Sequence, residues 1–272
     1  MSLQGKTLFI TGASRGIGRE IALRAARDGA NIVIAAKSAE AHPKLPGTIH
    51  SVAAEVVAAG GQALALQLDV RDEDAVKAAM AKAFEHFGSI DAVINNAGAI
   101  KLMGVEHLPP KRFDLMFQIN TRAVMVCSQA ALPYLKQSRG HILSLSPPVN
   151  LDPKWFANYG PYTTTKYGMS MLTLGMHEEF KKYGISVNSL WPKTVIATAA
   201  IEFEAGGPAV MKAARLPAIM ADAAYAILSS TERTISGRLL IDEELLREQG
   251  VSDFEHYRYD PSGKLMTDLF VD

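Results

Sequence analysis

The sequence predicts an α/β protein built as one domain, a doubly wound parallel sheet of about seven strands with helices on both faces. Three observations carry this. Short, near-continuous apolar runs alternate with amphipathic stretches along the chain, as expected for strands covered on both faces by crossover helices. The first run leads into a glycine-rich turn that opens a helix. No linker, composition shift or internal repeat divides the 272 residues, a length that one large domain can fill.

Residues 6–11 (KTLFIT) are a short apolar run closed by turn residues, the first strand. Residues 16–28 carry Ile17, Ile21, Ala22 and Ala25 at helical spacing and stop at Gly29. Residues 31–36 (NIVIAA) form the second strand, 48–59 a helix and 63–68 the third strand. A helix over 73–87 ends at Gly88, and residues 91–94 make the fourth strand. Residues 111–136 read as mostly helical, with Pro133 marking a kink or break. Strands over 141–145, 186–190 and 238–241 and a long helix over 162–183 complete the pattern. Two stretches interrupt it. Residues 38–47 form a long strand-to-helix connection. Residues 198–218 are rich in Ala, Gly and Pro, with apolar Ile201, Phe203, Val210, Met211 and Leu216. Loops longer than about 12–15 residues are often functional, so 198–218 is expected to cover a substrate. Residues 242–272 are expected to be a C-terminal extension.

Lys+Arg and Asp+Glu number 28 each. That balance argues against nucleic acid or an acidic membrane as the main partner. Cys127 is the single cysteine, so no intramolecular disulfide or multi-cysteine metal site forms. A reducing compartment, by default the cytoplasm, is expected. The seven histidines have no metal-ligand spacing. The N-terminus does not read as a signal peptide. No window reaches the ~18 apolar residues of a membrane span.

Residues 11–18 read TGASRGIG. Glycines at 12, 16 and 18 let the chain turn tightly and bring an anion to the helix N-terminus. Free N–H groups and the positive end of the helix dipole stabilise it there. A plain tight turn is the ordinary alternative, but the strand–turn–helix setting favours a pyrophosphate. The second strand ends Ala35-Ala36-Lys37-Ser38, without the carboxylate that accepts from the ribose 2′-hydroxyl of NAD. Lys37 would instead attract a 2′-phosphate, unless it is an ordinary solvated charge. Tyr162 and Lys166 lie four apart on a predicted helix and share a face. An ammonium near a phenol lowers its pKa, which moves a proton donor toward working pH.

Taken in order, the glycine-rich turn, Asp69-Val70, Asn95-Asn96-Ala97-Gly98, Asn120, Tyr162-x-x-x-Lys166 and Pro192 make residues 5–241 resemble the short-chain dehydrogenase/reductase family. The resemblance implies a single-domain Rossmann fold. It implies hydride transfer between a nicotinamide cofactor and a carbonyl/secondary alcohol pair. Gly12, Ser14, Arg15, Gly16, Ile17 and Gly18 would contact the cofactor, with Arg15 a second cation that, like Lys37, favours NADP(H) over NAD(H). Asp69 would bind the adenine amino edge, with Val70 beside the ring. Asn96, Ala97 and Gly98 would lie along the cofactor, and Pro192 would lie near it after the sixth strand. Tyr162 would be the proton donor/acceptor. Lys166 would bind the ribose hydroxyls and tune Tyr162, and Asn120 would support a proton-relaying water. The 162–183 helix, with Met169, Met171, Leu172 and Met176, would form a homodimer or homotetramer face.

Two positions depart from the family pattern. A catalytic serine is implied at 147, where this chain has Pro147. Ser146 would replace it if the strand end bulges; on a regular strand it points to the other face. Lys193 follows Pro192 where glycine is common, placing a charge near the nicotinamide. The leading expectation is an NADP(H)-dependent oxidoreductase for a hydrophobic small-molecule carbonyl. Pro147 keeps open a second reading, an NADP(H)-binding sensor or carrier with little turnover. A sugar-type epimerase would need a larger C-terminal domain than this length leaves.

Overall fold

Seven parallel strands form one sheet: β1 (Thr7–Thr11), β2 (Asn31–Ala36), β3 (Gln62–Gln67), β4 (Ala92–Asn95), β5 (His141–Ser144), β6 (Ser186–Trp191) and β7 (Leu239–Ile241). Their order is β3-β2-β1-β4-β5-β6-β7. The structure is a computed structural model and describes residues 2–43, 45–230 and 235–272. The helices of the described residues are α1 (Gly16–Ala26), α2 (Ile49–Ala58), α3 (Glu73–Phe87), α4 (Pro110–Phe117), α5 (Ala123–Ser138), α6 (Lys154–Ala157), α7 (Gly160–Phe180), α8 (Gly207–Lys212), α9 (Ala218–Leu228) and α10 (Asp242–Glu248).

Side chains alternate across the strands and feed two cores. Leu8, Ile10, Ile32 and Ile34 face α1, α2, α9 and α10. Phe9 and Val33 face α3, α5 and α7. Every residue of β1, β2 and β6 is buried, which is why β1 and β2 read as near-continuous apolar runs. Burying each large side chain stabilises the fold by about 1.5–3 kcal/mol. Strand order reverses between β1 and β4. A crevice opens beyond the carboxyl ends at such a point, the usual ligand position in an open parallel sheet.

Local chemistry sets the helix ends. The Asp72 side chain accepts from the Ala75 N–H and caps α3, whose first turn carries Glu73 and Asp74. Gly88 ends it in the left-handed region at φ 77°.

Residues 111–136, expected to be mostly helical with a kink or break at Pro133, are helical throughout. A π-turn, Gln118–Arg122, separates α4 from α5 and turns Asn120 and Thr121 inward. Pro133 does not end α5, which continues to Ser138. Proline removes one backbone donor, but Ala131 and Leu135 on either side are fully buried and hold the helix in the core. Residues 198–218 are not a plain loop either. They contain the π-turn Ile201–Ala205 and α8. Beyond α10 the chain returns to the sheet end, where Thr267 bridges antiparallel to Thr194. No helix among the described residues is long and apolar enough to cross a membrane.

Candidate active site

A cavity of about 770 Å3 opens at the carboxyl ends of the strands, within the usual range of ligand sites of roughly 300–1,000 Å3. One end is the glycine-rich turn. Gly12 has φ +67°, and a Cβ there would meet Ala97 Cα at 2.8 Å, so only glycine fits. The Asn96 side-chain amide donates to the carbonyls of Thr11 (2.8 Å) and Gly12 (3.0 Å). This locks the turn after β1 to the turn after β4. Gly12, Ser14, Arg15, Gly16 and Ile17 line the cavity, as do Asn96, Ala97 and Gly98. Gly18 does not. Its missing Cβ makes room for the Asn96 side chain, so it acts through packing. No side chain caps the start of α1, which leaves its first-turn N–H groups for an anion.

Cations gather beyond β2. Lys37 lines the cavity, is 64% exposed, and lies 3.4 Å from Asp69. Arg71 holds Asp69 through both carboxyl oxygens, at 2.9 and 3.0 Å from its Nε. Those hydrogen bonds, reinforced by the Lys37 and Arg71 charges, hold the Asp69 carboxyl far below the usual range. Asp69 and Val70 both line the cavity. Arg15 donates to Ser38 Oγ and to the carbonyls of Pro46 and Gly47, at 3.0–3.1 Å. It therefore ties the 38–47 connection onto the turn.

The other end carries Tyr162 and Lys166, one turn apart on α7 and both lining the cavity with Pro192. Lys166 Nζ donates to the Leu145 carbonyl at 2.8 Å and lies over the Trp191 ring at 5.0 Å. Burial pushes its ammonium down to about 8. Burial pushes the Tyr162 phenol up, and the Asp268 carboxylate pushes the same way. This is opposite to the expected lowering by Lys166, whose ammonium is held on the Leu145 carbonyl while burial dominates the phenol. Asn120 is fully buried and does not line the cavity. Its amide donates to the Ala99 carbonyl and to Thr165 Oγ1, both at 2.9 Å, and its oxygen accepts from the Ala99 N–H at 2.8 Å. It fixes the loop after β4 against α7, immediately before Lys166.

Ser146 is not brought to the cavity wall. The Leu145 N–H still donates to the Asn95 carbonyl, but the Ser146 N–H turns back to the Ser144 carbonyl at 3.0 Å, a tight three-residue turn that ends the ladder. Among the described residues the Ser146 hydroxyl is buried without a partner. Pro147 accepts from Ser170 Oγ through its carbonyl at 2.6 Å. The Lys193 ammonium is also not in the cavity wall; it pairs with Glu243 at 3.4 Å. Thr198, Ile201, Phe203 and Val210 line the cavity, whereas Met211 and Leu216 do not.

Sequence reasoning missed Met266, Thr267, Asp268 and Leu269, which also line it. The only local signal was an acid within the apolar run LMTDLFV. A cradle closed by Gly12, an uncapped helix start and a cation beyond β2 fit a phosphorylated dinucleotide.

A short chain dehydrogenase family model matches residues 6–205. The chain is 56% identical over 271 residues to hydroxysteroid dehydrogenase-like protein 2 of Xenopus tropicalis, covering 99% of this chain and 64% of that protein. It thus spans less than two thirds of the length of that curated relative. A solved protein of Xanthomonas campestris, described as a dehydrogenase, is 55% identical with a TM-score of 0.96 and full coverage of both chains. A short chain dehydrogenase of Mycobacterium thermoresistibile is 50% identical with a TM-score of 0.93, over 100% of this chain and 96% of that one.

Proposed function

The chain belongs to the short-chain dehydrogenase family, oxidoreductases acting on CH–OH/C=O pairs, and from that premise we propose an NADP(H)-dependent enzyme for a hydrophobic ketone or secondary alcohol. The observation that carries the reading is one cavity lined by the glycine-rich turn, Lys37, Tyr162 and Lys166 together. The nicotinamide cofactor would supply the hydride. Gly12, Ser14, Gly16 and Ile17 would cradle its phosphates, and Lys37 with Arg15 would meet a 2′-phosphate. Solved relatives bind either cofactor. A metagenomic oxidoreductase, 26% identical with a TM-score of 0.73 over 89% of this chain and 98% of its own, is in complex with NADP. A 7α-hydroxysteroid dehydrogenase, 27% identical with a TM-score of 0.77 over 88% and 93%, is in complex with NADH and a bile-acid ketone. Lys37 and the absence of an acid at the end of β2 support NADP(H) here.

Tyr162 donates its proton to the carbonyl oxygen. Its buried phenol stays protonated near neutral pH, the form that reduction needs. Lys166 binds ribose hydroxyls, and Asn120 holds the loop and α7 in register. The 198–218 segment covers the substrate with Ile201, Phe203 and Val210, which suits an apolar body. The protein works in the cytoplasm as a homodimer or homotetramer. NADPH oxidation against a panel of hydrophobic ketones tests the reading. Tyr162→Phe should lower kcat by about 10²–10⁴-fold and leave NADPH affinity nearly unchanged. Wild-type turnover by Tyr162→Phe would remove Tyr162 from the proton transfer.

A second reading, an NADP(H) sensor with little turnover, is favoured by one observation: the Ser146 hydroxyl is off the cavity wall. NADPH binding without oxidation across the panel would select it.

A further inference from the structure

The 264–272 segment brings a carboxyl group into the cavity that no motif announces. The segment is pinned along its length. The Met266 N–H donates to the Ala213 carbonyl (2.9 Å), the Val195 N–H to the Met266 carbonyl (3.0 Å), and the Asp268 N–H to the Lys193 carbonyl (3.0 Å). Trp191 Nε1 donates to the Leu269 carbonyl at 2.8 Å. Phe270 is 2% exposed and sits among Trp155, Tyr159, Tyr162, Tyr167 and Trp191, with ring centroids 5.3–6.4 Å away. Asp272 accepts from Asn150 at 2.9 Å. Asp268 is therefore held in place by backbone bonds and an aromatic plug.

Three carboxylates line the cavity: Asp69, Glu204 and Asp268. Asp69 is bound by Arg71, and Glu204 is 54% exposed and 3.9 Å from Lys101. Asp268 accepts only from the Leu269 N–H, at 2.7 Å, among the described residues. Lys166 has the complementary problem. Its buried ammonium touches a carbonyl oxygen and the Met169 sulfur, neutral groups that leave its charge uncompensated. An isolated buried cation is costly.

We propose that Asp268 is a positioning residue of this site, a carboxylate that balances the Lys166 ammonium across the cavity. Tyr162 and Lys166 from α7 line the same cavity as Asp268. Lys166 lies over the Trp191 ring, whose Nε1 holds the adjacent Leu269 carbonyl, and the Tyr162 ring lies 6.2 Å from Phe270. Asp242 at the start of α10 acts on Asp268 through its charge. Behind Asp242 lies Glu243, which is paired with Lys193, Arg215 and Arg247. Burial and the Asp242 charge push the Asp268 carboxyl up to about 7, while Lys166 pulls it down. Each charge favours the other, so the Asp268 carboxylate holds the Lys166 proton more tightly and Lys166 holds the Asp268 carboxyl ionised.

The inference rests on the proposed roles of Tyr162 and Lys166, so its test uses no turnover. In full-length protein labelled with carbon-13 at lysine Cε, the resonance lost in Lys166→Gln identifies Lys166. Its midpoint should fall by about 0.5–1 pH unit in Asp268→Asn, a threefold to tenfold weaker proton affinity, and recover in Asp268→Glu. The reciprocal measurement keeps the test open if Asp268→Asn does not fold. The Asp268 Cγ midpoint should rise by a similar amount in Lys166→Gln. A Lys166 midpoint within about 0.2 unit of wild type in folded Asp268→Asn, or an unmoved Asp268 midpoint in Lys166→Gln, overturns the pairing. Neither result depends on whether Tyr162→Phe abolishes turnover.

Discussion

At the residue scale, the candidate site is a problem in charge placement. The cavity has a cationic end at Lys37 and Arg15 and a buried titrating end at Tyr162 and Lys166. Lys37→Asp should narrow the NADPH-to-NADH affinity ratio by about tenfold or more, because it sets a negative charge where a 2′-phosphate would lie. Lys37 is exposed, so fluorescence titration of both cofactors belongs at low salt; an unchanged ratio would make Lys37 a solvated surface charge. Ser146 gives a different prediction. Its hydroxyl is buried without a partner, so Ser146→Ala removes an unsatisfied group. Stability should stay level or rise, and kcat should change by less than about tenfold, below the usual loss of an oxyanion donor. Thermal melts and turnover on a reduced ketone check this, and a loss of about 10²–10³-fold would restore Ser146 as a carbonyl donor.

At the element scale, α7 and the 264–272 segment make one unit. α7 presents Tyr162 and Lys166, and the segment packs Phe270 behind Tyr162 with the two rings nearly parallel, at 28°. Phe270 adopts φ +72°, a left-handed backbone that costs a non-glycine residue roughly 1–3 kcal/mol. Burial of its ring among five aromatic side chains offsets that strain. Phe270→Ala keeps the strain and loses the ring. It should cost about 3–5 kcal/mol, seen as a lower Tm and as faster hydrogen exchange at the Asp268 amide. Wild-type exchange there would mean that the backbone bonds alone hold the segment.

At the scale of the whole molecule, the two cores flank the sheet and a third cluster closes its carboxyl end over the cavity. Met125 on α5 and Met171 and Leu174 on α7 stay 42–60% exposed. Met169 and Met176, expected in an oligomer face, are buried in the core instead, and Leu172 packs against it, so Met171 with Leu174 and Met125 would form the apolar surface of the proposed oligomer. Light scattering after gel filtration should report a dimer or tetramer, and Met171→Glu should shift it toward the monomer. A wild-type monomer at micromolar concentration would discard this face.

What the sequence determined by itself was local. The alternation of apolar runs and amphipathic helices identified the strands, because burial on both faces leaves no charged residue in β1, β2 or β6. Glycine spacing marked the turn after β1, and the Tyr162–Lys166 spacing put two functional groups on one helix face. These signals are short-range, set by periodicity and backbone freedom. The tertiary structure decided the rest. Ser146 lies off the cavity wall because a tight turn at Leu145 ends the ladder there, and Lys193 is drawn to Glu243, 50 residues away. Pro133 passed inside α5 because core packing outweighed one missing donor. Asp268 entered the site because Phe270, Trp191 and the 193–195 backbone pin a segment remote in sequence. No spacing rule records such a contact, since it exists only once the sheet end has formed.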